Sequence, residues 1–162
     1  MRRIFGKFGG FTLFELVVVL GILSAMVAVI LPFCKRSNEG LKIKQVSSSI
    51  AQAMRYGIEL AEGRNLAVKF FYDGKNRSYW LEIEDGENIF KPVENFAGAE
   101  RFIDAKIELF DIEGFEQAGQ EYSIVFDPRK AWPDGLISLC TEDLIITVRV
   151  KSKDVEIEEE SV

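Results

Sequence analysis

The sequence contains no histidine, which removes the commonest metal ligand and general base of proteins at neutral pH. It has only two cysteines in 162 residues, Cys34 and Cys140, which is too few for a disulfide scaffold. The sequence leaves open whether these two thiols pair. It also lacks a Gly-x-Ser-x-Gly nucleophile motif and a glycine-rich phosphate loop. We therefore expect a protein that is not an enzyme and holds no cofactor or metal.

Basic side chains are scarce relative to acidic ones. The chain has 20 lysines and arginines against 26 acidic residues, a formal charge of −6. Three of the basic residues, Arg2, Arg3 and Lys7, lie in the first ten positions, and residues 11–162 carry −9 without them. A nucleic-acid partner needs clustered basic side chains to neutralise its phosphates. We expect no nucleic acid to bind.

One acidic stretch raises the question of calcium. Glu82, Glu84, Asp85 and Glu87 surround Gly86 and offer the oxygen ligands that this ion prefers. Their order matches no calcium-binding loop, so we interpret them as the charged end of a hairpin.

Long apolar runs are confined to one place, residues 11–34. In these 24 residues Glu15 carries the only formal charge. A helix of this length spans roughly 36 Å, enough for a hydrocarbon core of ~30 Å, so the run predicts a transmembrane helix. The basic residues before it favour a cytoplasmic N-terminus. A carboxylate inside such a run is costly, which makes Glu15 a candidate functional residue in need of a cation.

The start of this run carries a recognisable motif. Residues 1–10 form a short basic stretch that ends in Gly9-Gly10, and Phe11-Thr12-Leu13-Phe14-Glu15 follows. This arrangement resembles the type IV prepilin family, which includes the pseudopilins of type II secretion. A secretory signal peptide would have a shorter apolar core, and an uncleaved signal anchor would leave Gly10 and Glu15 unexplained.

The resemblance implies specific processing. In this family a prepilin peptidase cuts after the glycine and methylates the new amino-terminal phenylalanine. Carried over, the cleaved bond is Gly10–Phe11 and the methylated residue is Phe11. The new Phe11 amine would lie about one helical turn from Glu15 and could be the cation that it needs. The resemblance favours pairing of Glu15 with the Phe11 amine of a neighbouring subunit during filament assembly. Because tip subunits of such filaments commonly lack the glutamate, Glu15 implies a position just below the tip.

The helix is expected to continue beyond the apolar run. Pro32 should kink it by removing one hydrogen bond. Apolar residues then recur at three- and four-residue steps from Leu41 to Ala61, which predicts an amphipathic continuation over residues 35–63. The helix should end near Gly63, a C-terminal cap residue.

The remainder of the chain is predicted to form short strands. Leu66–Tyr72 and Ser78–Glu84 flank turn formers at residues 73–76 and predict a hairpin. Residues 86–104 have no clear period and are expected to form a long loop. The other predicted strands are Lys106–Phe110, Glu121–Asp127, a hairpin of Leu136–Cys140 with Leu144–Val150, and a last edge at Val155–Ile157.

These elements predict an α+β, pilin-like fold in which a long N-terminal transmembrane helix packs on a small antiparallel β domain. The segments would be a cleaved leader at 1–10, a transmembrane and assembly helix at 11–34, its continuation at 35–63 and a periplasmic domain at 64–162. The stretches Ala53–Ile58, Tyr79–Leu81 and Gly135–Ser138 are similar to the minor pseudopilin H and FimT-like group.

The resemblance implies a function and a location. The chain would be a minor pseudopilin of a type II secretion system, a single-pass inner-membrane protein whose C-terminal domain is periplasmic. Its partners would be other pseudopilins, prepilin peptidase, the inner membrane and the inner-membrane secretion platform, in a pseudopilus that drives protein export. The alternatives are a minor type IV pilin that serves pilus assembly or DNA uptake, and a membrane-anchored β domain that binds some ligand.

Overall fold

A computed structural model of the chain describes residues 12–86, 89–95 and 97–161, apart from the side chains of residues 29–38. These residues form one helix, α1 (Leu13–Arg64), and ten strands. The strands are β1 (Val68–Asp73), β2 (Ser78–Glu84), β3 (Phe90–Pro92), β4 (Arg101–Phe102), β5 (Glu108–Glu113), β6 (Glu116–Ala118), β7 (Glu121–Phe126), β8 (Asp134–Cys140), β9 (Leu144–Lys151) and β10 (Asp154–Ser161). The chain divides into two compact units, Met1–Asn38 and Glu39–Val162, and the division falls inside α1.

The helical part of the second unit buries one face against the strands. The buried residues of this face are Ile43, Ser47, Ile50, Ala51, Ala53, Met54, Ile58 and Ala61. Most of these residues recur at the three- and four-residue steps of a helix face. The predicted apolar stripe is confirmed for Ile50, Ala53, Met54, Ile58 and Ala61, while Ile43, Ser47 and Ala51 are buried residues that it did not include. Leu41, which we placed at the start of the stripe, is instead 62% exposed.

The helix ends two residues later than Gly63 would place it. Asn65 adopts a left-handed conformation (φ 53°), and its N–H donates to the Glu62 carbonyl at 3.4 Å. The Leu66 N–H donates to the Ala61 carbonyl at 3.3 Å. These two bonds form a Schellman cap, with asparagine in the position that glycine usually takes.

The first sheet has the strand order β3-β2-β1-β7-β6, and β4 also pairs with β2. The predicted hairpin of β1 and β2 is confirmed, with Phe71 opposite Trp80. In its turn the Asp73 carboxylate accepts the Lys75 N–H at 2.8 Å. Along β1, Val68, Phe70 and Tyr72 are buried, so this face of the sheet lies in the core.

The second sheet has the order β10-β9-β8-β5 and is antiparallel throughout. The predicted hairpin of β8 and β9 is confirmed, with Cys140 opposite Ile145. The predicted last edge over residues 155–157 is part of a longer strand, β10. The predicted strand at 106–110 is shifted to β5, where the pairing slips between Leu109 and Asp111.

The region expected to be one loop, residues 86–104, contains two short strands, β3 and β4, that both pair with β2. The strand β6 was not predicted either. Each has two or three residues. A run this short shows no alternation of its own, and its conformation is set by the strand beside it.

The predicted fold class is wrong: a pilin-like fold with a long N-terminal transmembrane helix on a small antiparallel β domain is not what the described residues form. Among them no helix is both long enough and apolar enough to cross a membrane. The described apolar side chains of the first unit run from Leu13 to Ala28, about 24 Å against a core of ~30 Å. The β part consists of two antiparallel sheets.

The predicted location in the inner membrane is also wrong, because it depends on the transmembrane helix. A single-pass inner-membrane protein with a periplasmic C-terminal domain needs a spanning helix, and none is present in the described part of the chain.

Candidate assembly surface

The first turn of α1 is organised by Thr12 and Glu15. The Glu15 backbone N–H donates to Thr12 Oγ1 at 3.2 Å, so Thr12 caps the helix that begins at Leu13. Thr-x-x-Glu is the sequence pattern of a capping box, and an acidic side chain in the first turn is favoured by the helix dipole. The Thr12 cap is therefore a local feature that the pattern could have shown and that our sequence reasoning missed.

The other predicted site residues lie wholly or partly outside the described residues. Gly10 and Phe11 lie outside the described residues. Pro32 lies within the helical span of α1, and its side chain is outside the described set. Cleavage at Gly10–Phe11, methylation of Phe11, the pairing of Glu15 with Phe11 and the kink at Pro32 all stay predictions.

The described side chains of the first unit form an exposed apolar surface, which we call the assembly surface. Leu13 is 83% and Phe14 77% exposed. The other large apolar residues of this surface are Leu16, Val17, Val18, Val19, Leu20, Ile22, Leu23, Met26 and Val27. Exposed apolar surface of this extent marks an interaction site, because removing apolar side chains from water is favourable, by roughly 1.5–3 kcal/mol for one that goes from fully exposed to fully buried.

The assembly surface presents almost no polar group to a partner. Ser24 is the only polar side chain between residues 16 and 28. Its hydroxyl donates to the Leu20 carbonyl at 2.8 Å, within the helix itself. A partner can therefore cover this part of α1 without leaving a side-chain donor or acceptor unpaired.

The acidic stretch around Gly86 is tied into the second unit. Glu84 is buried and accepts the Ala67 N–H at 3.1 Å and Arg129 Nη2 at 2.6 Å. The Ala67 hydrogen bond and then the Arg129 guanidinium hold the pKa of Glu84 below its usual range. Glu82 accepts the indole N–H of Trp80 at 2.9 Å, and Asp85 pairs with Lys91.

These contacts occupy the carboxylates that a calcium ion would need as ligands. Glu87 lies outside the described residues, and the other three acidic side chains of the stretch each have a partner in the protein. Within the described part of the chain, no group of three or more acidic or cysteine side chains is placed to hold a metal ion.

Arg129 also binds a second buried acid. Its Nε donates to Asp127 Oδ1 at 2.8 Å, and the Asp127 side chain is only 5% exposed. The hydrogen bond from Arg129 lowers the pKa of Asp127. We call Glu84, Asp127 and Arg129 the arginine clamp. It connects the end of β2 with the turn after β7, and through Ala67 it reaches the start of β1.

Cys140 is a free, partly buried thiol at the end of β8. Burial and the nearby Glu108 raise its pKa, so less thiolate is present at neutral pH than for an ordinary cysteine. The side chain of Cys34 lies outside the described set.

No family model matches the chain, and comparison with curated proteins and with solved structures likewise gave no match.

Proposed function

We propose that this chain is a minor subunit of a type II secretion pseudopilus, of the pseudopilin H kind, cut by prepilin peptidase and assembled into a filament through the start of α1. Its partners are prepilin peptidase, the other pseudopilins and the secretion platform. The observation that supports this proposal is the assembly surface, an exposed apolar helix segment directly after the Gly-Phe-Thr-Leu-x-Glu motif.

An apolar helix segment with no covering layer of its own gains free energy when neighbouring chains cover it. Helices that associate in this way pack their side chains in regular ridges and grooves, and a filament of similar subunits provides such neighbours. Glu15 is the only charge in this segment, so it is the residue that can fix the register of one helix against the next.

The first prediction concerns processing. In cells with an active prepilin peptidase, the intact mass of the isolated chain should correspond to residues 11–162 plus one methyl group. Gly10→Leu should block the cut, because a cleft fitted to glycine has no room for a larger side chain. The matched control is Gly9→Leu, one position from the bond, which should be cut at least partly. A wild-type chain that retains Met1 in those cells contradicts the proposal.

The second prediction concerns Glu15. Glu15→Leu should leave cleavage intact and reduce crosslinking to partner pseudopilins by about tenfold or more, since the pairing charge is lost. The capping bond uses the backbone N–H of Glu15, which leucine keeps, so a failed helix start does not explain such a loss. Glu59→Leu makes the same change at an exposed glutamate of α1 outside the assembly surface, so it serves as the control and should crosslink normally. Normal crosslinking and secretion in Glu15→Leu would remove the role assigned to this carboxylate.

A further inference from the structure

A pocket of about 490 Å³ lies on the face of the first sheet that is turned away from the core. On β2, Tyr79 and Leu81 are buried, so Trp80 and Glu82 lie on the opposite face. The apolar lining consists of Trp80, Pro92, Val93 and Ala99. The volume falls in the range of ordinary ligand pockets.

The Trp80 ring is fixed before anything binds. Its centroid lies 4.5 Å from that of Phe71 on β1, with the two rings inclined by 33°. Its indole N–H donates to Glu82 Oε1 at 2.9 Å. A ring that is held by stacking and by a hydrogen bond loses little conformational freedom when a ligand covers it.

The pocket wall formed by the segment after β3 is also held by hydrogen bonds. The Val93 N–H donates to the Leu81 carbonyl at 2.8 Å, and the Leu81 N–H donates to the Gly98 carbonyl at 3.0 Å. Asn95 accepts the Gly98 N–H at 3.0 Å and donates its side-chain amide to the Tyr56 hydroxyl at 2.5 Å. These bonds join the wall to β2 and to α1, so the pocket is built into the second unit.

Three carboxylates, Glu82, Glu94 and Glu100, also line this pocket. Within the described residues none of the three forms an ion pair. Lys69 lies directly opposite Glu82 in the pairing of β1 with β2, whereas Glu94 and Glu100 are exposed carboxylates of the lining. Carboxylates beside an apolar, aromatic lining favour a ligand that is cationic and has a flat apolar face.

The same sheet face already holds a cation on an aromatic ring. Lys69 Nζ lies 4.6 Å from the centroid of Phe90. Phe90 pairs with Glu84 and Lys69 with Glu82, so both residues lie on the face that carries Trp80. Trp80 is the aromatic residue of this face that lines the pocket together with the three carboxylates.

We propose that this pocket binds an arginine side chain presented by a partner protein. A guanidinium is planar and weakly hydrated, so it can stack on the Trp80 ring. Its five N–H donors can reach carboxylates beside the ring at the same time, which a lysine ammonium on a flexible stem cannot do with a stacked geometry. The site lies on the β part of the second unit and does not depend on the assembly surface or on the proposed function.

Fluorescence of Trp80 tests the proposal directly. The chain has two tryptophans, so the full-length Trp132→Phe variant reports on Trp80 alone. The probe is the capped peptide acetyl-Gly-Arg-Gly-amide, compared with its citrulline analogue, which has nearly the same shape and no charge. We expect a saturable change in Trp80 emission with the arginine peptide and about tenfold weaker binding of the citrulline peptide. Equal binding of the two, or no saturable change up to about 10 mM, overturns the proposal.

Two further comparisons locate the binding. Glu94→Gln combined with Glu100→Gln should weaken the arginine peptide about fivefold. Glu156→Gln combined with Glu158→Gln removes the same charge from β10, in the other sheet, and should change the affinity less than twofold. If both pairs weaken binding equally, the peptide responds only to the overall negative charge and the pocket is not its site. If the corresponding lysine peptide binds as tightly as the arginine peptide, stacking on Trp80 is not the basis of recognition.

Discussion

At the scale of single residues, the arginine clamp is the feature with the clearest consequence for the stability of the fold. Arg129 is about half exposed, whereas Glu84 and Asp127 are buried carboxylates that depend on its guanidinium. A buried charge that loses its partner is destabilising. Without Arg129, Asp127 would keep only the longer contact with Lys130 Nζ, 3.6 Å from its Oδ2. Both pKa values are held below their usual range. The clamp therefore couples stability to pH.

The third prediction follows from the sign of these shifts. A carboxyl group whose pKa is lower in the folded than in the unfolded chain contributes stability above its unfolded value of about 4. That contribution is lost as the pH falls from about 5 towards 3. We expect Arg129→Met to lower the Tm by about 5 °C at pH 7, and the difference from wild type to shrink by at least half at pH 3.

The matched control for the clamp is Arg149→Met. Arg149 forms an exposed pair with Glu158 at 3.6 Å, and such a pair contributes little to stability. Thermal unfolding followed by circular dichroism at a series of pH values compares the two variants. A difference between wild type and Arg129→Met that does not change with pH would mean that the clamp acts by packing and not by charge.

The clamp could not be predicted from the sequence. Arg129 and Glu84 are 45 positions apart, and only the pairing of β1 with both β2 and β7 brings them together. The capping pair Thr12 and Glu15, by contrast, is local and follows a known pattern. Interactions within one helical turn can be inferred from the sequence, while those across a sheet require its topology.

At the scale of elements, the contact between α1 and the first sheet depends on a glycine. A Cβ built on Gly57 would lie 3.2 Å from Leu81 Cδ2 and 3.2 Å from Phe126 Cδ2. Leu81 and Phe126 are both completely buried, and a side chain at residue 57 would require them to shift by a few tenths of an ångström within the core. The absence of a side chain at residue 57 therefore favours the close approach of the helix to the sheet.

The fourth prediction tests this contact. Alanine normally stabilises a helix interior by about 0.5–1 kcal/mol relative to glycine, whereas overpacking costs about 1–3 kcal/mol. We therefore expect Gly57→Ala to lower the free energy of unfolding by about 1 kcal/mol, measured by urea denaturation. At Gly63 no atom lies within 4 Å of the added Cβ, so Gly63→Ala should be neutral or stabilising by up to about 0.5 kcal/mol. A Gly57→Ala variant as stable as Gly63→Ala would show that the sheet yields at this point.

The strands differ in whether they could be predicted from the sequence. The hairpins of β1 with β2 and of β8 with β9 were predicted because alternating burial and turn formers are properties of the strands themselves. The strands β3, β4 and β6 were missed because their partners, and not their own residues, determine their conformation. The pocket lined by Trp80 lies beside β3 and the segment that follows it. It was missed because these short elements were not predicted.

At the scale of the whole molecule, the chain consists of two units whose surfaces differ in chemistry. The second unit has a buried apolar core that joins the helix to both sheets. Ion pairs at its surface connect the helix to distant strands and loops, including Lys42 with Asp104 at 2.8 Å and Lys44 with Glu159 at 2.7 Å. In the first unit, by contrast, the described side chains are exposed and mostly apolar.

The fifth prediction separates folding from association. Residues 39–162 contain the core, so this fragment should fold on its own and unfold cooperatively, with a near-ultraviolet circular dichroism spectrum that shows fixed aromatic side chains. In sedimentation velocity it should be monomeric. The full chain should self-associate under the same conditions, because covering the assembly surface is favourable.

Replacing Leu16, Leu20 and Leu23 together by serine should shift the full chain towards monomer without changing the unfolding of the second unit. Equal association of the fragment and the full chain would place the contact in the second unit, and the assembly surface would then lose its assigned role.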